Sequence, residues 1–365
     1  MKLRHLFKAG FLFFLGLCLF SSSLRSAHAS LECVDFIAPI ESHPSRILGE
    51  IPLEGGFRFF RSRSKRESLD QSRLKVVTLN LQMLVKDPTG VTDYTTKSER
   101  ERDGIGELMR SERPDLILVQ EVSDEETLQR FSDEQFSGTY EAVVLRPYQS
   151  ERMSVGVLIK KSLPFDVGVQ GYERMHWNWD GTRAPVFHHD LLTVSLYKKG
   201  TQDREHPLLS IVNLHNKAPT TSRERDPNSI RFRRAQIEAT QEVVERYKRE
   251  YGPHLPTLVG GDFNGELRLD RVQKGTYEFG AFLTNRFELL LKNSAPEEAT
   301  AFSRGRGNQF DGFWMSASLK RWGAVLRSGV LRYFDSKNPP SDHRPVFAVV
   351  DMTSLLEKHT LQSTP

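Results

Sequence analysis

Cysteine is nearly missing from this sequence, with two in 365 residues, Cys18 and Cys33. Cys18 falls within an N-terminal leader, which leaves Cys33 alone. A single thiol forms no intrachain disulfide and offers no cysteine ligand set for a metal. A His-Glu-x-x-His run is absent, which disfavours catalytic zinc. The Gly-x-Ser-x-Gly elbow is absent too, so acyl transfer through serine has no support. Internal repeats and low-complexity blocks are likewise missing.

No apolar run reaches the ~20 residues that a spanning helix needs. The run Phe11 to Phe20 is roughly half that length; it follows Lys2, Arg4 and Lys8 and precedes Ser26-Ala-His-Ala29. Basic start, short apolar core and small residues at the cleavage positions read as an export peptide, residues 1–29, rather than a transmembrane anchor. Bulky Leu17 argues against lipoprotein processing at Cys18. The chain is therefore expected to be exported, to a bacterial periplasm or the medium. Net charge is the last absence. The whole chain has 51 Lys+Arg against 47 Asp+Glu, and residues 1–29 hold four basic residues and no acid, so the remainder is 47 against 47. Global electrostatics then give no argument for nucleic acid, and only local patches can.

What is present suits one large α/β domain or two small ones. Residues 30–73 read as a loosely organised arm, with the basic run Arg58-Phe-Phe-Arg-Ser-Arg-Ser-Lys-Arg66 as a solvated linker or a phosphate contact. Regular structure is expected from Leu74, over a domain at 74–351 and with a tail at 352–365. Leu74–Asn80, Asp115–Glu121, Ser154–Lys160 and Leu208–His215 read as apolar strands. Helices are expected over Lys97–Glu112, with Ile105, Leu108 and Met109 on one face, and from the opening Asp226-Pro-Asn-Ser-Ile230 to about Tyr251, with Ile237, Thr240, Val244 and Tyr247 recurring at helical spacing. Strands outnumber helices and often follow one another directly, which points to α+β layering with mixed or antiparallel sheets.

The polar residues fall in a pattern. Asn80, Glu121, His215, Asp262 with Asn264, and Asp342-His343 each stand at or just past the end of an apolar strand. In Gly260-Gly-Asp-Phe-Asn264, positions i and i+2 of a strand project to one side, setting a carboxylate beside a carboxamide; an Asp-x-Asn turn is the plainer reading. The glycine pair would allow a ligand or a neighbouring backbone to approach closely. If the strand ends converge, hard oxygens suit Mg²⁺, Mn²⁺ or Ca²⁺, and imidazoles suit proton transfer near neutral pH.

On these blocks the sequence resembles the endonuclease/exonuclease/phosphatase superfamily of metal-dependent phosphoesterases. Val77-Thr-Leu-Asn80, Leu118-Val-Gln-Glu121, Asn213-Leu-His215, Gly261-Asp-Phe-Asn264, Gln309-Phe-Asp311 and Ser341-Asp-His-Arg-Pro345 occur in the family's order. Glu151, Arg183-Ala-Pro185 and Arg233-x-x-Gln236 add further matches, the first two closest to the DNase I branch. The resemblance implies a two-sheet β-sandwich flanked by helices, DNase I-like with four α/β/β/α layers and the site at one edge. It implies a divalent ion, Mg²⁺ or Mn²⁺ and possibly Ca²⁺, at Glu121, Asn80 and Asp342. It implies two His–carboxylate pairs, His215 with Glu151 and His343 with Asp311, one activating water and the other protonating the leaving oxygen. Asp262 would orient or deprotonate water or hold a second ion, Asn264 would donate to phosphate, and Arg183 would contact it. Gln82 departs from the Arg, Trp or Asp that nuclease branches often have there.

Other residues carry two readings each. His188-His189 fits no block and reads as packed or exposed strand histidine. Trp177 and Trp179 suit core packing, base stacking or a lipid interface. Arg304-Gly-Arg306 is a phosphate-facing loop or a solvated turn. The expectation is an exported, monomeric DNase I-like nuclease acting on nucleic acid without a nucleotide cofactor. The alternatives are a phospholipase C or sphingomyelinase acting on phospholipid head groups, and a non-catalytic toxin or adhesion module on the same fold.

Overall fold

Alternation in the strands decides the architecture. On Arg73–Leu84, Leu74 and Val76 belong to one apolar cluster while Val77, Leu79 and Leu81 belong to another. A strand buried on both faces must lie between two layers. The computed structural model describes residues 57–61, 72–85, 97–145, 153–172, 175–179, 182–200, 206–219, 222–223, 226–268, 277–291, 299–303 and 306–362, all within the compact unit Pro44–Pro365.

Two sheets carry the fold, with strands numbered in chain order. The seven-stranded sheet runs β1 (Phe57–Phe60), β6 (Phe165–Gly171), β9 (Leu191–Lys198), β10 (Leu209–His215), β13 (Thr257–Asp262), β17 (Asp311–Met315), β14 (Glu288–Leu289). The six-stranded sheet runs β18 (Val325–Val330), β19 (Val346–Asp351), β2 (Arg73–Leu84), β3 (Leu116–Val122), β5 (Ser154–Lys160), β4 (Tyr140–Val143). Short ribbons pair β7 (His176–Trp179) with β8 (Thr182–Pro185), β11 (Ser222–Arg223) with β12 (Asp226–Pro227), and β15 (Ala301–Ser303) with β16 (Arg306–Asn308). The helices are α1 (Glu99–Glu112), α2 (Glu125–Phe136), α3 (Ile230–Tyr251), α4 (Gly280–Thr284), α5 (Ala317–Arg321) and α6 (Met352–Gln362).

Each large sheet holds one parallel pair at its centre, β2 with β3 and β10 with β13, flanked by antiparallel neighbours. A parallel pair needs a crossover, and α1 and α3 supply the two. Helix α1 starts at a capping box in which Ser98 and Glu101 satisfy each other's backbone donors. At the start of α3 the Asp226 carboxylate accepts from the amides of Arg231 and Phe232. One apolar cluster lies between the sheets, including Val76, Leu118, Val157, Val194, Ile211, Leu258 and Phe313. The two outer clusters lie under α1 and α2 on one side and under α3 on the other, which makes four layers.

The sandwich and its flanking helices match the expected α+β class. The N-terminal boundary does not. Phe57–Phe60, within the expected arm, is an antiparallel edge strand on β6, where the aromatic side chains override the basic character of the run. Arg58 forms an exposed ion pair with Glu125. The expected tail, 352–365, opens with helix α6. The expected leader, Cys33 and Ser62 to Arg66 lie outside the described residues.

The glycine pair before Asp262 has two separate causes. A Cβ on Gly260 would meet the Phe313 ring at 2.3 Å, and one on Gly261 would meet the Leu214 carbonyl oxygen at 2.0 Å. Gly261 also has φ +141°, a conformation open to glycine. Gly261→Ala should therefore destabilise the fold by about 3 kcal/mol or more. Urea unfolding without added metal tests this; a loss below ~1 kcal/mol would mean that the β10–β13 seam yields easily.

Candidate active site

The inward face of each central strand changes from apolar to polar as it approaches the same end of the sandwich. On β2, Leu74 and Val76 give way to Thr78 and Asn80; on β3, Leu116 and Leu118 to Gln120; on β10, Leu209 and Ile211 to Asn213 and His215. On β13, Leu258 and Gly260 precede Asp262, and on β17 the inward residues are Asp311 and Phe313. Thr78, Asn80, Gln120, Asn213, His215, Asp262 and Asp311 are all buried.

A lower amide layer joins the sheets. Gln120 donates to Asn213 Oδ1 at 2.7 Å and to Thr78 Oγ1 at 3.1 Å. Asn213 Nδ2 donates to the carbonyls of Val119 and Gly156 at 3.1 and 2.9 Å. Buried amides need such partners, and here they lock the two sheets together beneath the catalytic layer.

Above it, Asn80 Nδ2 donates to Glu121 Oε1 at 3.0 Å and to Asp262 Oδ2 at 2.9 Å. Strand parity would turn Glu121 away, since Gln120 already faces inward. A register shift between Gln120 and Val122 and a left-handed backbone at Glu121, φ 61°, swing it to the site. Gln82 and Met83 are left-handed as well, φ 51° and 65°. That backbone costs of order 1–3 kcal/mol per residue and aims two amides: Gln82 N donates to Asn80 Oδ1 at 2.8 Å, and Met83 N to Glu121 Oε2 at 3.0 Å.

The terminal block attaches at the same place. Ser341 donates to the Asn80 carbonyl at 2.9 Å and accepts from His343 N at 3.1 Å. Gln82 Oε1 accepts from Asp342 N at 3.1 Å, so this departure from nuclease branches serves as a tether between strand β2 and the Asp342 segment. His343 Nδ1 donates to Asp311 Oδ2 at 2.8 Å, and its Nε2 lies 3.9 Å from both Asp262 Oδ2 and Asp342 Oδ1. Asp311 is fixed in turn by its amide, which donates to Thr300 Oγ1 at 2.9 Å.

His215 Nε2 is 3.6 Å from Asp262 Oδ2 and 3.9 Å from Glu121 Oε1. Its Nδ1 is buried without a hydrogen-bond partner among the described residues; Glu151, expected there, lies outside them. His189 stacks on the His215 ring, centroids 4.5 Å apart and planes 19° apart, and is anchored through Nδ1 to the Met153 carbonyl at 3.1 Å. The packed-histidine reading holds for His189, and the ring it packs on belongs to the site. Asn264 N donates to Asp262 Oδ1 at 2.8 Å, so the Asp-x-Asn turn is real and the residue still belongs to the site. Arg183 sits exposed on the β7–β8 ribbon and makes no hydrogen bond or ion pair with these groups among the described residues.

Burial and the nearby His189, His343 and Lys217 charges hold His215 well below the ordinary imidazole range, so it is neutral. Burial opposes the charged form of His343 as well, but the Asp311 and Asp262 carboxylates prevail and raise it to about 10. Burial raises Asp262, with the His343 charge pulling the other way. Two imidazoles in one site thus occupy opposite protonation states. Sequence reasoning also missed Lys97, buried with its ammonium 2.5 Å from the Pro340 carbonyl. It missed Tyr333 too, whose buried hydroxyl has no partner among the described residues and is kept protonated by burial beside Asp311 and Asp342.

The donors fit a hard divalent cation. Glu121 and Asp262 present oxygens to one shared Asn80 amide, and Asp262, Asp311 and His343 each offer an atom within 4.8 Å of the others. In that last trio His343 Nδ1 is already engaged by Asp311, which favours the carboxylates as ligands.

Oxygen donors for a cation beside a carboxylate-paired imidazole suit an ester whose breaking bond develops negative charge and needs a proton. The class is a metal-dependent phosphoesterase. More narrowly, the model of the Endonuclease/Exonuclease/phosphatase family matches residues 77–343, and the chain belongs to that family. No curated protein matches significantly. Among solved structures, a functionally unknown conserved protein from Enterococcus faecalis is 17% identical over 76% of this chain and 100% of its own, TM-score 0.51. The human nocturnin catalytic domain with bound sulfate is 17% identical over 81% and 96%, TM-score 0.50. A mannosyl-6-phosphatase from Bacteroides thetaiotaomicron is 18% identical over 76% and 99%, TM-score 0.50. At such identities the likeness speaks for the fold alone.

The raised His343 makes a stability prediction. The ion pair contributes fully below about pH 6.5, the unfolded value, and its contribution is lost as pH rises through about 10. In metal-free protein Asp311→Asn should cost roughly 3–5 kcal/mol at neutral pH, with the gap to wild type closing towards the alkaline end. Urea unfolding across this range checks the slope, and the His343 Cε1 proton shift should titrate at lower pH in the variant.

Proposed function

We propose that the chain is an exported hydrolase of nucleic-acid phosphodiester bonds, working with Mg²⁺ or Mn²⁺. The observation that carries this reading is the convergence of Asn80, Glu121, His215, Asp262, Asp311 and His343 at one end of the sandwich. Glu121 and Asp262, steadied by Asn80, and Asp342 at the rim would hold the cation. When bound, the ion neutralises a phosphate oxygen and the charge that develops in the transition state.

The remaining work falls to side chains. Neutral His215, with Asp262 beside it, accepts the proton of the attacking water. His343 holds its proton on Nε2 and passes it to the leaving oxygen, while Asp311 fixes the ring and favours its charged form, as in other His–carboxylate pairs. Asn264, expected to donate to the phosphate, instead spends its Nδ2 on the Asn216 carbonyl at 2.9 Å and Asp262 Oδ2 at 3.3 Å, and so positions Asp262. Water adds across the P–O bond, giving a phosphomonoester and a free hydroxyl.

The lipid alternative loses one of its supports. Trp177 is 3% exposed and packs edge-on against Phe232 at 4.8 Å, so it is a core residue; the Trp179 side chain lies outside the described residues. A non-catalytic module would have little use for an ion-paired imidazole and three crowded carboxyl groups.

Plasmid DNA, RNA and sphingomyelin vesicles, each with Mg²⁺ and with EDTA, test the proposal. Nucleic acid should be cleaved only with metal, and His215→Ala should lower turnover by about 10²–10⁴-fold. Glu121→Ala should weaken Mn²⁺ binding in a direct titration. Release of phosphocholine without nucleic-acid cleavage would move the chain to the lipid branch.

A further inference from the structure

The hairpin β15–β16 is absorbed by neither the fold nor the catalytic layer, yet it is tied to the terminal block. Phe302 N donates to the Asp342 carbonyl at 3.1 Å, Arg344 N donates to the Thr300 carbonyl at 2.6 Å, and Ala301 bridges His343 in antiparallel fashion. Residues 300–302 thus form a short ladder with 342–344. Opposed residues share a side and successive residues alternate. Ala301 and His343 take one side, Ala301 being buried. Phe302, Asp342 and Arg344 share the other.

That second side is unusual for a phenylalanine. Phe302 is 40% exposed, and the Arg344 guanidinium carbon lies 4.5 Å from its ring centroid, within cation–π range. Arg344 Nη1 reaches the Ala299 carbonyl at 3.4 Å, which restrains the guanidinium over the ring. A lone exposed aromatic is ordinary. This one is held opposite Asp342, one residue from the Ala301–His343 bridge, and carries a cation that draws phosphate. An aromatic face beside a fixed positive charge is how sequence-tolerant single-strand sites are built.

We propose that Phe302, backed by Arg344, is a stacking platform for the nucleobase next to the scissile phosphate, and that the enzyme prefers strands with unpaired bases. This rests on the nuclease reading above and adds to it the form of the substrate. Arg344 supplies charge to the strand backbone beside the stacked base. The catalytic layer acts on the phosphate whatever the base is.

The test compares kcat and KM of wild type, Phe302→Ala and Phe302→Trp on a short single strand. A matched set of strands carries one abasic position on either side of the cleaved bond. Phe302→Ala should raise KM roughly 10- to 100-fold on the fully based strand with a smaller change in kcat. It should have little effect on the strand that is abasic at the stacked position, and Phe302→Trp should restore KM. Equal losses on based and abasic strands would overturn the platform, because the ring would then only support residues 342–344. Unchanged KM in the alanine variant would overturn it too. Failure of wild type to act on any nucleic acid would overturn the nuclease reading itself; a wild type that cuts strands indifferently to Phe302 sinks the platform alone.

Discussion

Carboxyl groups crowded into a dry layer are the constraint around which this molecule is built. Asp262 and Asp311 are almost wholly buried, and Glu121 joins Asp262 on a single carboxamide. Charges taken out of water are costly unless paired. The structure answers with the His343 imidazolium paired to Asp311 and with donors from Asn80, Met83 and Asn264. One imidazolium does not balance three carboxyl groups, and the shortfall is the physical reason for a divalent cation. Ligand binding and fold stability are therefore linked, since an ion bound only by the folded state stabilises it.

The two parallel strand pairs solve the delivery problem. A parallel pair ends both strands at the same edge, and each pair here puts an acid or an amide from both strands at that edge. Facing the pairs across one apolar core brings four strand ends within reach of a single phosphate. The Gln120–Asn213 amide layer then sets the register between the sheets, because a slip would orphan several buried polar atoms at once. Precision in the catalytic layer follows from the cross-sheet hydrogen bonds of the layer beneath it.

Much of this is legible in sequence, for a definite reason. Period-two strands that end in polar residues announce both the sheet face and the site, so Asn80, His215 and Asp262 can be named from the chain alone. What escapes such reading breaks that periodicity or depends on distance in space. Glu121 can be named as a strand-end acid, but its parity is wrong, and the bulge and left-handed backbone that bring it to the site are not legible in the chain. Gln82 reads as a departure from nuclease branches, and its tethering role emerges only with the Asp342 amide across the sheet. His189 belongs to no strand-end pattern and acquires meaning only from the ring it stacks on. Phe57–Phe60 is hidden by flanking arginines that advertise solvent. Trp177 carries no sign of whether its ring faces Phe232 or water.

The same contrast separates chemistry from substrate choice. Hydrolysing a phosphoester demands a fixed set of oxygens and imidazoles, so its signal survives in short spaced motifs. Selecting the group attached to the phosphate demands only a surface of the right shape beside it, and many residues can provide one. On this chain that surface is joined to the catalytic block by backbone hydrogen bonds at Thr300, Phe302, Asp342 and Arg344. Backbone bonds leave side chains free to change while their positions relative to His343 stay constant. A family built this way can keep one reaction and vary its substrates at positions that motif reading passes over.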